Sequence, residues 1–478
     1  MYHRLKALLP SYATSGPRYT SYPTVPVWQN WPERSDLERW HHVLADSNAP
    51  VIRSGTSEDK PPLALYVHLP FCEQRCLFCG CNVVITQKRE QSQKYLDALF
   101  TEIDATLPLL DLSRPVEQIH WGGGTPTYLT PHQLDALAQF LADRFSILPS
   151  AEIALEVDPR VTSAEQLAVL RKQGFNRISL GVQDFDPLVQ ETIHRVQSLA
   201  QTSTLIQSAR DLGYGGVNLD LIYGLPHQTA GSFAETVKTV IDLNPDRIAL
   251  YHYAHVPWMA PHQAQMPEAA IPNSETKIEI FTDALEALSQ AGYVYIGMDH
   301  FAKPQDELAK ALEKGQLHRN FMGYTVRNTQ SSHLLGFGVS AISDFGVGYA
   351  QNHRKLATYY EALTEKLTPP VFRGVYLTPD DHVRRAVIQA LLCQGRLAFE
   401  SIENTFLPVL HAGGFETYFA KSLQALKQPM QDGLIEAGDR VLTLTPLGRV
   451  LARNVAMAFD AYLPAENVAA EKQFSKTV

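Results

Sequence analysis

Cysteine is scarce, with five in 478 residues. That excludes a disulfide-stapled scaffold, which needs many pairs spread through the chain. Positive charge is in deficit. Lys and Arg number 41 against 50 Asp and Glu, a formal net charge of −9. A protein that holds a nucleic-acid backbone needs a basic face, so no nucleic-acid partner is expected. An anionic substrate stays open if a local cluster of cations outweighs the overall charge. No run approaches the ~18 uninterrupted apolar residues of a spanning helix, so no membrane partner is expected. The first residues, MYHRLKALLPSYATSGPRYT, carry an apolar stretch that is short and broken by Pro10, unlike a secretory leader. The expected location is therefore cytoplasmic, where clustered thiols bind metal or do redox chemistry. Internal repeats and low-complexity tracts are absent too.

What is there is a globular chain. Hydrophobic residues make up 45% and charged residues 19%, which excludes wholesale disorder. The length suggests two or three domains. Residues 1–60 are rich in Pro, Ser and Tyr and read as an N-terminal arm and linker, with Ser54 to Pro62 as the polar stretch. Apolar runs with strand character then begin at Leu63, Val116, Glu152, Arg177, Gly216 and Arg247. Helical patterns alternate with them, as in QKYLDALFTEIDATLPLL, PHQLDALAQFLADRF and SAEQLAVLRKQG. In the last, Ser163 reads as an N-cap and Gly174 as a stop. Strand alternating with helix implies an α/β fold with a parallel sheet. Six units are too few for a closed eight-unit barrel, so an open partial barrel and a doubly wound sheet both fit. Residues 61–365 form this unit. From 366 to 478 the pattern is mostly helical, with a hairpin in LIEAGDRVLTLTPLG that suggests a winged-helix-like module. Polar residues gather at the carboxyl ends of the strands: His68, Gly122 to Thr127, Glu156, Asp158, Gln183, Asp184, Asp220 and His252 to His255. In α/β folds that edge is where sites are built.

Four of the five cysteines fall within ten residues, as Cys72, Cys76, Cys79 and Cys81, directly after the first strand. The spacing is C-x3-C-x2-C-x-C. Structural zinc usually takes two separated C-x2-C pairs, and no second pair exists here. A redox dithiol at Cys76 and Cys79 lacks a thioredoxin-like context. An iron–sulfur cluster fits the loop better. If C-x3-C-x2-C supplies three thiolates, the fourth iron keeps an open position for chemistry. Cys393 stands alone and reads as a small apolar core residue.

C-x3-C-x2-C after the first strand resembles the radical S-adenosylmethionine superfamily. Tyr66-Val67-His68-Leu69-Pro70-Phe71-Cys72, the additional Cys81 and the N-terminal PRYTSYPT from Pro17 to Thr24 narrow this. So do HWGGGTPT from His120, DLIYGLP from Asp220 and GMDHF from Gly297. Together they resemble the oxygen-independent coproporphyrinogen III oxidase family over nearly the whole chain. The resemblance implies an incomplete (β/α)6 TIM-like barrel, an N-terminal arm and a helical C-terminal domain. It implies one 4Fe–4S cluster, with Cys72, Cys76 and Cys79 at the metal-ligand positions. It also implies two S-adenosylmethionine molecules. Tyr66, Phe78, Gly123, Glu156 and Ile342 fall at contacts to the first, and Gly124, Thr125, Gln183, Arg195, Asp220 and Ala254 at contacts to the second. Tyr66, His68 and Cys81 are the candidate catalytic residues, Cys81 matching a family cysteine that is not a ligand. One departure is visible: the family commonly shows His-Arg-Asn-Phe-Gln-Gly-Tyr where this chain has HRNFMGY, with Met322 in place of the amide.

The reaction implied is the conversion of two propionates of coproporphyrinogen III to vinyl groups, giving protoporphyrinogen IX. A 5′-deoxyadenosyl radical from reductive cleavage of S-adenosylmethionine would drive it. A flavodoxin or ferredoxin would donate the electron, and the chain would act as a monomer. Alternatives are a haem chaperone of the same superfamily, a related haem-modifying enzyme, and a zinc-stabilised binding protein. Cys81 and the PRYTSYPT segment argue against the chaperone.

Overall fold

The structure is a computed structural model that describes residues 1–31, 34–48, 60–326, 332–410 and 413–463. All six expected strands are present: Leu63–Leu69, Val116–Gly123, Ile147–Val157, Arg177–Gln183, Gly216–Tyr223 and Arg247–His252. They pair in chain order and in parallel. The first strand is buried along almost its whole length, which is why it reads as a continuous apolar run rather than an alternating one. Helices return the chain between strands. Four of them start on capping boxes that local chemistry dictates: Thr130 with Gln133, Ser163 with Gln166, Ser198 with Gln201, and Thr229 with Ser232. Gly174 ends the second of these helices at φ +94°, the left-handed conformation that glycine adopts at little cost.

The sheet is larger than the sequence pattern suggests. A seventh parallel strand, His333–Phe337, pairs with Leu63–Leu69. Beyond it the sheet turns antiparallel through Ile342–Asp344, Gly348–Asn352, Val371–Tyr376 and Gln29–Asn30. On the other side, His300–Ala302 and Val294–Gly297 add two antiparallel strands. Among the described residues, the result is a mostly parallel central sheet of 13 strands. Val371–Tyr376 lies past residue 365, so the sheet draws in chain from the region read as helical.

The sheet is curved. Arg247, on the sixth parallel strand, donates to Glu152 on the third at 3.0 Å. Those strands are three spacings apart, about 14 Å on a flat sheet. Arg177 and Asp306 complete the same network. Its guanidinium and carboxylate groups close the end of the sheet opposite the cysteine loop.

After residue 378 helices dominate. Thr378 caps Pro379–Gln389, and Cys393 is buried in the core behind it, as its apolar surroundings predict. The expected hairpin is Ile435–Gly438 with Val441–Leu444, and Arg396–Ala398 adds a third strand. The N-terminal arm is tied down on this region. Arg453 Nε donates to the Pro17 carbonyl at 3.1 Å. Asn454 donates to the Tyr12 carbonyl at 2.8 Å, and Tyr19 Oη donates to Asp460 at 3.0 Å. One hydrophobic core runs from Leu5 and Leu9 through the sheet to Val455 and Phe459. Most of the Ser54 to Pro62 linker lies outside the described residues. Among the described residues, no helix is long and apolar enough to cross a membrane.

Candidate functional site

A cleft of about 520 Å³ opens at the carboxyl ends of the parallel strands. Cys72, Cys76, Cys79 and Cys81 all line it. Each successive strand adds a polar group. Gly123, Gly124 and Thr125 come from the second, Glu156 and Asp158 from the third, and Ser179 and Gln183 from the fourth. Asp220 comes from the fifth and Tyr251 from the sixth. Phe78 and Arg195 complete the wall.

The cysteine loop is held by backbone contacts. Gly124 N–H donates to the Leu69 carbonyl and Thr125 N–H to the Phe71 carbonyl, both at 2.8 Å. Gly124 is required by closeness: a Cβ there would lie 2.6 Å from the Pro70 carbonyl. Gly123 has φ +111°, and a Cβ would meet the His68 ring at 2.4 Å. Gln263 clamps the other side, donating to the carbonyls of Phe78 at 3.0 Å and Ala254 at 3.3 Å.

The thiols sit in different fields. Burial pushes the Cys72 thiol up to about 11, against a 3.5 Å contact with Thr125 Oγ1. Cys79 is lowered to about 7, chiefly by its hydrogen bond with Cys81, with Arg195 and Arg75 helping. The same contact pushes Cys81 well up. Arg195 Nη1 and Arg160 Nη2 point at Cys76 Sγ, at 3.5 and 3.6 Å. Both guanidinium groups also hold Asp158, at 3.2 and 2.7 Å. Burial works against that carboxylate, but the two arginines outweigh it and keep its pKa low. This is a cationic frame around a set of soft ligands, and it favours negative charge on sulfur.

Two carboxylates face the cleft with opposite tendencies. Burial opposes the charge on Glu156, but a 3.5 Å contact with His120 and the Gly123 N–H at 3.1 Å hold its pKa down. Burial and the charge of Glu156 push Asp220 up to about 6. Ser179 and Asn218 donate to Asp220 at 3.0 and 2.8 Å and fix its position. Gln183 adopts φ +70° at its strand end.

Tyr66 and His68 stand behind the cleft wall rather than on it. His68 Nε2 is 2.9 Å from the Asn82 carbonyl, so that nitrogen carries the proton. Its Nδ1 then accepts from Tyr66 Oη at 3.1 Å. Burial lowers the His68 pKa and keeps the ring neutral. Tyr66 stacks on His120, with ring centroids 6.1 Å apart, so it reaches Glu156 through that ring. Ala254 and Ile342 are half-buried and outside the cleft lining. Met322 lies in the turn between Leu317–Asn320 and Gly323–Val326, its N–H on Asn320 Oδ1 at 2.8 Å. Asp184, a strand-end candidate, is instead a structural group. It is fully buried and accepts from Thr236 and Gln228.

Some residues were not visible as site residues in the sequence. Arg160 follows Asp158 by two positions, and its backbone N–H closes a turn on that side chain. The acid–x–basic pattern at a strand end was the available signal. Ser179 and Tyr251 gave none, since each looks like an ordinary strand residue.

The residues present fit a cluster with three protein ligands and an open position. Cys72, Cys76 and Cys79 come from one loop, the surroundings are cationic, and polar groups for a bound cofactor lie on the adjoining strand ends. Among the described residues, no three His, Cys, Asp or Glu side chains converge as on a single ion. A model described as the Radical SAM superfamily matches residues 66–240. The chain is 44% identical over 472 residues to the oxygen-independent coproporphyrinogen III oxidase of Salmonella typhimurium, covering 99% of this chain and 98% of the relative. It is 42% identical over 471 residues to that of Synechocystis sp., covering 98% and 97%. Among solved structures, the Escherichia coli coproporphyrinogen III oxidase, a radical SAM enzyme, superimposes with a TM-score of 0.86. The identity there is 41%, over 96% of this chain and 98% of that one. A chain so similar from end to end, with three cysteines at the head of a strand-end cleft, belongs to the oxygen-independent coproporphyrinogen III oxidase family of radical SAM enzymes.

Proposed function

We propose that this chain oxidatively decarboxylates two propionates of coproporphyrinogen III to vinyl groups, giving protoporphyrinogen IX. The observation that carries the reading is the cleft itself. Three cysteines of one loop share it with Glu156, Asp220 and Arg195 from successive strand ends. Cys72, Cys76 and Cys79 would hold a 4Fe–4S cluster. When bound, the cluster and S-adenosylmethionine would together supply the radical that takes a hydrogen atom from a propionate β-carbon, after which carbon dioxide leaves and one electron passes to an external one-electron acceptor.

The chain's own groups bind and orient. Glu156, kept ionised, accepts from the ammonium or ribose of the first S-adenosylmethionine, with Phe78 and Gly123 around it, Tyr66 acting through the His120 ring and Ile342 outside the cleft lining. Gly124, Thr125, Gln183, Arg195 and Asp220 face a second molecule, with Ala254 held at the border of the cleft by Gln263. Tyr66 and neutral His68 brace the wall that carries Glu156. Cys81 lies beside the ligand set as a proton-bearing neighbour of Cys79. The parallel strands form an incomplete (β/α)6 barrel, which the Arg247–Glu152 contact across three strand spacings supports. Residues 1–60, 61–365 and 366–478 act as arm, catalytic unit and helical cover. The enzyme works in the cytoplasm as a monomer, reduced by a flavodoxin or ferredoxin.

The test is an anaerobic assay after reconstitution with iron and sulfide. Vinyl product and 5′-deoxyadenosine are expected to appear together under reduction. Protein with a full iron complement that consumes S-adenosylmethionine yet leaves coproporphyrinogen III intact overturns the reading.

A further inference from the structure

A second cationic group lies beyond Tyr251, apart from the arginines that frame Cys76. It is built from three distant parts of the chain: Arg18 of the arm, Arg319 of the strand Leu317–Asn320 and Arg453 of the helix Ala452–Met457. Arg18 pairs with Asp299 and sits over the Tyr251 ring, 5.6 Å from its centroid. Tyr251 lines the cleft, so Arg18 stands at the cleft's inner end. It keeps 32% of its side-chain surface accessible, yet burial, with Arg453 and Arg319 close by, pushes it down to about 9. Arg18 is thus desolvated by the protein around it while part of its side chain stays accessible beside Tyr251.

Arg319 is the unusual member. It is 3% exposed. Its Nε donates to the Arg18 carbonyl at 3.4 Å, and its guanidinium lies 4.9 Å above the Tyr324 ring. Its Nη1 is buried with no acceptor among the described residues. Apart from Asp299, which pairs with Arg18, the neighbours of the group are tyrosines and a histidine. Tyr251, Tyr295 and His300 all feel Arg18 and Arg319, and burial with those charges drives His300 well down. A buried guanidinium N–H without an acceptor is costly, because the lost hydration is not replaced. Asp299 is taken up by Arg18, so an anion from outside the chain would complete Arg319 Nη1.

We propose that Arg319, together with Arg18, anchors a carboxylate of the tetrapyrrole substrate, a propionate other than the one reacting in that pose. This rests on the reading above and extends it to the substrate's far edge. A planar fork with a free N–H matches a carboxylate directly. Arg319 is thus a binding residue that touches substrate, and Arg453 positions the arm that carries Arg18.

The experiment uses the anaerobic holoenzyme and two probes, coproporphyrin III and its uncharged tetraamide. Wild-type enzyme is expected to bind the tetracarboxylate at least about tenfold more tightly, the scale of a charge-assisted contact. Arg319→Gln is expected to erase most of that preference and to raise KM for coproporphyrinogen III by a similar factor. Iron content should stay at the wild-type value, as should reductive cleavage of S-adenosylmethionine without substrate. Arg319→Lys, which keeps the charge and loses the fork, should fall between. Equal binding of the two probes by wild-type enzyme overturns the anchor without needing any variant. So does an Arg319→Gln enzyme whose KM stays within twofold. A wild-type enzyme that makes no vinyl product overturns the proposed reaction instead, so the two failures are distinguishable.

Discussion

At the scale of single residues, the cysteine loop depends on what is missing from Gly124. Its absent side chain lets the backbone pass against Pro70 and Phe71. Gly124→Ala must push backbone rather than a flexible side chain. It is expected to cost about 1–3 kcal/mol of stability, as overpacking does, and to lower iron per chain after reconstitution. Normal iron loading in this variant would show that the loop tolerates displacement. The residue scale also shows where sequence reasoning worked. The cysteine spacing, Ser163 and Gly174 are local signals, and each sits where local chemistry puts it. The ion pair of Arg195 with Asp158, and the burial of Arg319, were not legible. Both depend on which distant segments meet, and neither side chain announces its partner.

At the scale of elements, strand legibility followed burial. Parallel strands covered on both faces appear as long apolar runs, so six were readable. His333–Phe337 is short, contains Gly336 and is followed by Gly338, and the edge strands beyond it are as short as two residues. Their pairing is fixed by distant partners, and a short run carries too little periodicity to reveal that. The seventh strand is pinned at its start by a side-chain contact. Arg114 donates to His333 Nδ1 at 2.9 Å and to the Pro61 carbonyl at 2.8 Å. The first contact requires a neutral ring. Burial, then Arg114 and Arg385, lower the His333 pKa from 6.5 to about 3. Between those values the unfolded chain binds the extra proton and the folded chain does not. Stability is therefore fully present above 6.5 and is lost as pH falls towards 3, by at most about 1.4 kcal/mol per pH unit. Denaturant midpoints taken anaerobically from pH 7 to 5 should show this slope. His333→Asn should reduce it by about one proton, and an unchanged slope would assign the acid sensitivity to other groups.

At the scale of the whole molecule, the arm and the last helices form one unit. Asn454 holds the Tyr12 carbonyl, Asp460 accepts from Tyr19, and the Ala461 N–H donates to Tyr22 Oη at 2.9 Å. Arg453→Ala removes the contacts to the carbonyls of Gly16 and Pro17. Hydrogen exchange in residues 14–24 is then expected to speed up about tenfold or more, the scale of one or two lost charge-assisted bonds. Exchange in the strand Leu63–Leu69 should not change. Protection that persists in the arm would mean that the apolar packing of Tyr19 and Tyr22 suffices. The charge balance belongs to this scale too. A chain with net charge −9 brings Arg18, Arg319 and Arg453 from distant positions into one group.

That junction also orders events in time. Arg453 and Pro17 lie 436 positions apart. A ribosome adding about 5–20 residues per second needs roughly 20–90 s to cover that distance. The cysteine loop leaves it early, while Arg453, the partner of the arm, leaves it long afterwards. Until Arg453 is made, the contacts to the carbonyls of Gly16 and Pro17 that hold this part of the arm do not form. The Arg18 segment of the arm therefore takes its final place only after the sheet and the cysteine loop have been synthesised.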